Sequence, residues 1–169
     1  MSRDAWLTTL SVEGVGIELG VATGVFSKAI CDYTKLSVVY GIDQYSDHHD
    51  EQEMQSMKTL LSKEIKENRY KFLRGKFCDL VSGFSDETFN FIYIDGYAHT
   101  GQEQGSTLVE WWPKLKRGGI FSGHDYHPRY APTVSAVNDF INQHSLKLNI
   151  VNEQVSRAMS IYPSWWCVK

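Results

Sequence analysis

The chain has 169 residues, 42% of them hydrophobic and 22% charged, with a formal net charge of −3. That length suits one domain with a proper core, here taken as residues 1–169, and the apolar fraction excludes a disordered chain. No basic run of five or more suggests nucleic acid, no apolar run is long enough to span a bilayer, and Met1-Ser2-Arg3-Asp4 lacks a long apolar signal segment.

Cys31, Cys78 and Cys167 are odd in number and lack metal-type spacing, so they read as reduced thiols of a cytoplasmic protein. The pattern then alternates strand and helix, which predicts a mostly parallel sheet with helices on both faces. Residues 4–10 make a short leading helix with Trp6, Leu7 and Leu10 on one side. A strand over 15–19 ends in a turn, Glu18-Leu19-Gly20-Val21-Ala22-Thr23-Gly24, and a helix follows with Val25, Phe26, Ala29, Ile30 and Tyr33 on one face. Leu36 to Ile42 reads as a buried parallel strand that stops at Asp43. After a polar loop with His48 and His49, Met54, Met57, Leu61 and Ile65 mark a helix to about Lys66. A third strand over 70–74 stops at Gly75, and a short helix follows near Phe77–Val81.

Phe89 to Ile94 is the clearest strand and ends in Asp95-Gly96. The spacing predicts a helix over 101–115 carrying Leu108, Val109, Trp112 and Leu115, closed by a cap and turn at Lys116-Arg117-Gly118-Gly119. Ile120 to Gly123 is the fifth strand, and 132–144 the last helix, with Val134, Val137, Phe140 and Ile141. Two strands close the chain, 147–152 and 157–167. The short link between them, Asn152–Ser156, requires an antiparallel pair. In the pairs Trp111-Trp112 and Trp165-Trp166 one ring can face the core and the other a surface, and an exposed member would mark a homodimer contact.

The chemistry-bearing residues fall at strand ends. Strand, glycine turn and helix around Gly20 and Gly24 build a cofactor cradle, with Val21 and Thr23 in the turn. Asp43 lies roughly 20 residues further on, where a carboxylate can accept both ribose hydroxyls of an adenosine cofactor. Asp95 and Asp125 end neighbouring strands and converge on one crevice, which suits a divalent cation; His124 would add a softer ligand. His99, four residues past Asp95, is the candidate general base, and His127 competes for that role. His144, at a helix end, reads as a structural residue facing the helix dipole.

The spacing Glu18-x-Gly20-x-x-x-Gly24 resembles the first motif of class I S-adenosylmethionine methyltransferases, not the G-x-G-x-x-G of a pyrophosphate binder. The blocks Tyr93-Ile94-Asp95-Gly96-Tyr97-Ala98-His99 and Gly118-Gly119-Ile120-Phe121-Ser122-Gly123-His124-Asp125-Tyr126 resemble small-molecule O-methyltransferases of the macrocin and catechol types. The resemblance covers nearly the whole chain and implies a Rossmann-like α/β fold: seven strands, mostly parallel, one antiparallel near the edge. It implies S-adenosylmethionine held by Glu18, Gly20, Asp43 and Asp95, with Gln44 and Tyr45 flanking the adenine. It also implies magnesium or manganese on the matching aspartates. Where macrocin-type enzymes carry a second aspartate as base, this chain has Tyr97, and its paired aspartates are replaced by His124-Asp125. Catechol-type enzymes have Asp-Asn where this chain has Asp125-Tyr126. In Gly75-Lys76-Phe77 the family's acidic or polar residue is replaced by Lys76, which cannot accept a hydrogen bond from the adenine amine; a backbone amide or the Phe77 ring would line that end.

The expected activity is methyl transfer to a hydroxyl of a small polar, sugar-like acceptor, with a divalent metal. The alternatives are a metal-independent methyltransferase on another nucleophile, a non-catalytic S-adenosylmethionine-binding module, and a nicotinamide-dependent oxidoreductase. The last lacks both the close G-x-G approach to a pyrophosphate and a second substrate domain.

Overall fold

The computed structural model describes residues 1–46, 49–152 and 162–169. Seven strands form one sheet: β1 (Glu13–Leu19), β2 (Lys35–Asp43), β3 (Tyr70–Arg74), β4 (Phe89–Ile94), β5 (Leu115–Gly123), β6 (Asn149–Val151) and β7 (Ser164–Val168). Their spatial order is β3-β2-β1-β4-β5-β7-β6. The first five are mutually parallel, and β7 runs antiparallel to both β5 and β6. This is the expected doubly wound α/β fold. The strand order reverses beside β1, which places a crevice over the carboxyl ends of β1, β2 and β4.

Side chains alternate across the sheet with the two-residue period of a strand. Phe91 and Tyr93 point into one core layer with Trp6, Phe26, Ile30, Met57 and Tyr70. Ile92 and Ile94 point into the other with Leu108, Trp111, Val137, Phe140 and Trp165. The first layer is covered by α1 (Arg3–Thr9), α2 (Val25–Tyr33), α3 (Glu51–Leu60) and α4 (Ser62–Lys66). The second is covered by α5 (Phe77–Leu80), α7 (Ser106–Trp111) and α8 (Ala131–Gln143), with α6 (Gly101–Gln104) beside α8. Trp111 and Trp165 are fully buried while their neighbours Trp112 and Trp166 are half-buried, the division expected of adjacent rings.

Several expected elements differ from what forms. The helix expected through Lys66 breaks at Leu61, whose φ of −99° and ψ of 14° leave the helical region. Leu61 is wholly buried on the face that Met54 and Met57 share, and Ile65, beyond the break, is 37% exposed. In α2 the buried stripe is Phe26, Ala29 and Ile30; Val25 and Tyr33 sit at its exposed edges. The helix expected over 101–115 does not run through. Residues 101–105 instead make a left-handed turn, with φ of 67°, 55°, 53°, 57° and 88°. Gly101 permits it, because a Cβ there would lie 2.6 Å from the Pro132 carbonyl oxygen on α8. Val109 is exposed, and Leu115 belongs to the next strand.

Lys116-Arg117-Gly118-Gly119 is not a cap before a strand. β5 begins at Leu115, and its register against β4 jumps from Phe89↔Leu115 to Phe91↔Ile120, so the four residues bulge out of the ladder. Gly118 supplies the positive φ of 74° that the bulge needs. At the carboxyl end, the strand expected over 157–167 is Ser164–Val168; residues 157–161 of that expectation, and most of the link at 152–156, lie outside the described residues. His144 caps α8 and packs on Phe140 and Trp112, so its place is structural. Among the described residues no helix is long and apolar enough to cross a membrane.

Candidate active site

The turn after β1 is held from below by Asp43. Its carboxylate Oδ2 accepts from the amides of Val21 (2.8 Å) and Ala22 (3.0 Å), and Oδ1 from the amide of Tyr45 (3.2 Å). Asp43 is 5% exposed, so these charge-assisted bonds fix the turn in a low-dielectric place. Gly20 has φ of +95°, and a Cβ on it would stand 2.1 Å from the Asp95 carbonyl oxygen. The β1 turn and the β4 loop therefore touch backbone to backbone, and only glycine fits. Gly24 caps α2 with φ of +80° and no side-chain cap.

Two joined hollows open over these strand ends. One, of about 340 Å³, is lined by Gly20, Asp43, Gln44, Gly75, Phe77, Asp95, Gly96 and Tyr97. The other, of about 740 Å³, is lined by Arg3, Glu18, the Gly20–Thr23 turn, Phe26, Asp95 and His124. Gly20, His49 and Asp95 border both, so the two form one elongated cleft with the glycine turn at its waist. Phe77 and Tyr97 set their rings 4.9 Å apart at the first end, an apolar wall where a flat base can lie. Lys76 faces a neighbouring hollow with Gln44, Cys78 and Tyr97 instead. A cleft with a glycine waist, an acidic strand end and an aromatic wall fits an elongated adenosine-bearing cofactor.

Glu18 is buried at the floor. Burial drives its carboxyl well above the usual range, against the pull of the Ser27 hydroxyl that donates to it. Ser27 is itself 2.9 Å from the Tyr70 hydroxyl.

At the top of β4 and β5 lies a charged cluster. His124 Nδ1 is 2.9 Å from Asp125 Oδ1 and 3.4 Å from Asp95 Oδ1, while Arg3 Nη1 is 3.1 Å from Asp95 Oδ2. Burial would lower the His124 pKa, but the Asp95 charge and the hydrogen bonds that His124 donates to both carboxylates override it and raise it to about 9. Burial would likewise raise Asp95; His124 and then Arg3 reverse this and hold it at about 2. Asp95, His124 and Asp125 each offer a donor atom, all within 4.8 Å of one another. One imidazole and two carboxylates suit a manganese-, iron- or zinc-like ion better than magnesium. The donor set fits such an ion, but Arg3 and the His124 proton already balance both carboxylates, and a metal would have to displace that proton.

His99 is exposed and sets its ring 5.2 Å from Tyr130, edge to face. His127 accepts from the Arg129 amide and packs 5.0 Å from Tyr162, and Tyr130 and Tyr162 meet at 5.1 Å. The two histidines thus end a chain of four rings, and neither lines the two hollows of the cleft. His124 and His49 line it instead; His48 lies outside the described residues. Arg3 was not legible as a site residue. The only sequence signal is its place one turn before Trp6 and Leu7, which dock α1 on the first layer and carry the guanidinium inward.

Residues 14–126 match a family model described as a methyltransferase domain. No curated protein matches the sequence. Among solved structures, the chain resembles an O-methyltransferase from Bacillus cereus in complex with SAH (TM-score 0.71, 13% identity, 98% of this chain and 78% of that one). It also resembles a methyltransferase from Geobacter sulfurreducens (0.71, 14%, 98% and 77%). A third is a precorrin-6y C5,15-methyltransferase from Geobacter metallireducens (0.71, 12%, 98% and 87%). At these identities the likeness is one of fold.

Proposed function

The chain belongs to the methyltransferase-domain family, and from that membership we propose that it transfers a methyl group from S-adenosylmethionine to a hydroxyl of a small polar acceptor. The observation that carries this reading is the cleft itself: the glycine turn, Asp43 and Asp95 line one continuous groove over the strand ends. Bound there, the cofactor supplies an electrophilic methyl group, which leaves the protein to bind, orient and deprotonate.

Each residue group then has a task. The Phe77–Tyr97 wall and Gln44 flank the adenine, and Asp43 faces the ribose while holding the turn rigid. Asp95 borders both halves of the cleft, where its charge favours a cationic sulfonium nearby. His124, kept as imidazolium by its two carboxylates, is a donor and not a base. The proton of the acceptor therefore falls to His99 or His127 on the rim. In a metal-bound form His124 would instead give up its own proton and, with Asp95 and Asp125, hold a divalent ion, which would lower the pKa of an acceptor hydroxyl.

A metal-independent reading is favoured by one observation: Arg3 already occupies Asp95 at 3.1 Å. Methyl transfer from labelled S-adenosylmethionine to phenolic and sugar acceptors tests both. With the metal, activity falls after chelation and returns with manganese or magnesium; without it, activity survives exhaustive chelation with no metal by elemental analysis. Transfer to no hydroxyl acceptor, with transfer to amine or thiol acceptors, would contradict the hydroxyl assignment.

A further inference from the structure

We propose that Arg3 is a fixed counter-ion that keeps divalent cations out of the cluster of Asp95, His124 and Asp125, so that these three side chains form a latent metal site which opens when the guanidinium charge is removed. This goes beyond the methyl-transfer reading: it concerns the cluster alone and bears on whether a metal takes part, not on the acceptor. The three side chains offer donor atoms within 4.8 Å of one another, one imidazole and two carboxylates. Arg3 Nη1 already stands 3.1 Å from Oδ2 of Asp95, the carboxylate whose other oxygen faces His124.

A surface cation would be a weak obstacle to a metal, because it can swing into water and is screened by salt. Arg3 is held against both. It is 3% exposed in the first turn of α1, and Trp6 and Leu7, one turn on, are buried and dock that helix on the core. Nη1 donates to the Tyr93 hydroxyl at 3.3 Å as well as to Asp95, and that hydroxyl lies 2.9 Å from the Ser164 hydroxyl at the start of β7. Cζ lies 4.5 Å over the Phe26 ring. A guanidinium cannot shed its charge by losing a proton. An entering divalent ion adds one positive charge to the cluster if it displaces the His124 proton and two if it does not, and a fixed guanidinium opposes it in both cases. Without the Arg3 charge the ion keeps the attraction of both carboxylates and loses that repulsion.

The test is manganese titration of the metal-free full chain, read from the paramagnetic resonance of the free ion, with no cofactor or acceptor present and melting curves to show that each variant is folded. Arg3→Gln and Arg3→Met, both uncharged, should bind one manganese ion about 10- to 1,000-fold tighter than the wild type, the range by which a neighbouring cation changes the proton affinity of a carboxylate. Asp125→Asn in the Arg3→Gln background should abolish the gain, which places the ion in the cluster. Arg3→Lys keeps the charge and should stay near the wild type; a gain there equal to that of Arg3→Gln overturns the inference. Equal manganese affinity in the wild type and both uncharged variants also overturns it, as does a gain that survives Asp125→Asn. A wild type that takes up one ion at micromolar concentration, with the uptake lost in Asp125→Asn, overturns it without any Arg3 variant. Methyl transfer from labelled cofactor is measured separately: a chain that transfers methyl groups but shows no Arg3-dependent metal uptake keeps the methyltransferase reading and loses this inference alone.

Discussion

Asp95→Ala should destabilise the folded chain by about 3 kcal/mol, because it takes the carboxylate away from the buried Arg3 and leaves His124 with Asp125 alone. Breaking a fully buried ion pair costs about 3–5 kcal/mol; the Asp95 side chain is 26% exposed, which places it at the lower end. For a domain of this size that corresponds to a fall in melting temperature of roughly 6–12 °C. Asp95→Asn keeps the volume and some hydrogen bonding, so it should lose less. An Asp95→Ala variant that melts with the wild type would show that the cluster is a solvated surface group.

The same cluster sets the sign of the pH dependence in the metal-free protein. Asp95 is depressed from 3.8 to about 2, so its contribution is present above about pH 4 and is lost as pH falls toward 2. His124 is raised from 6.5 to about 9, so its contribution is complete below pH 6.5 and is lost as pH rises through 9. The wild type should therefore lose more stability between pH 6.5 and 9 than His124→Asn does, and parallel melting curves for the two would contradict this.

The second large effect concerns the acceptor proton. Removing a general base typically lowers the rate by about 10²- to 10⁴-fold. His99→Ala should do so while cofactor affinity stays unchanged, since His99 lies outside the two hollows of the cleft. The acidic limb of the rate profile should follow an imidazole and fall below roughly pH 6–7. His127 stands at the other end of the ring chain formed with Tyr130 and Tyr162. Full turnover in His99→Ala with loss in His127→Ala transfers the role to the β5 loop; full turnover in both leaves the hydroxyl to a metal.

Elements with a single dominant period were legible in the sequence. Phe89–Ile94 stands where expected, with Phe91 to Ile94 alternating between two cores, and Asp95 and Asp125 come together with His124, their ligand atoms within 4.8 Å of one another. Tertiary packing decided the others. The break at Leu61 leaves that side chain buried on the face of Met54 and Met57, and no local breaker announces it. The left-handed turn at 101–105 runs against the intrinsic cost of that conformation in Gln102, Glu103 and Gln104, so local propensity points elsewhere. Arg3 enters the site through the docking of α1, a contact ninety positions away in sequence from Tyr93 that no motif records.

If the cleft over β1, β2 and β4 is an S-adenosylmethionine site, calorimetric titration with the demethylated product, S-adenosylhomocysteine, should show it. The wild type should bind that ligand one-to-one and should not bind NAD. Asp43→Ala should lose on the order of 1.5–3 kcal/mol, because the missing carboxylate frees the turn amides of Val21 and Ala22. NAD binding in place of S-adenosylhomocysteine, or an unchanged affinity in a folded Asp43→Ala, would contradict the assignment of the cleft.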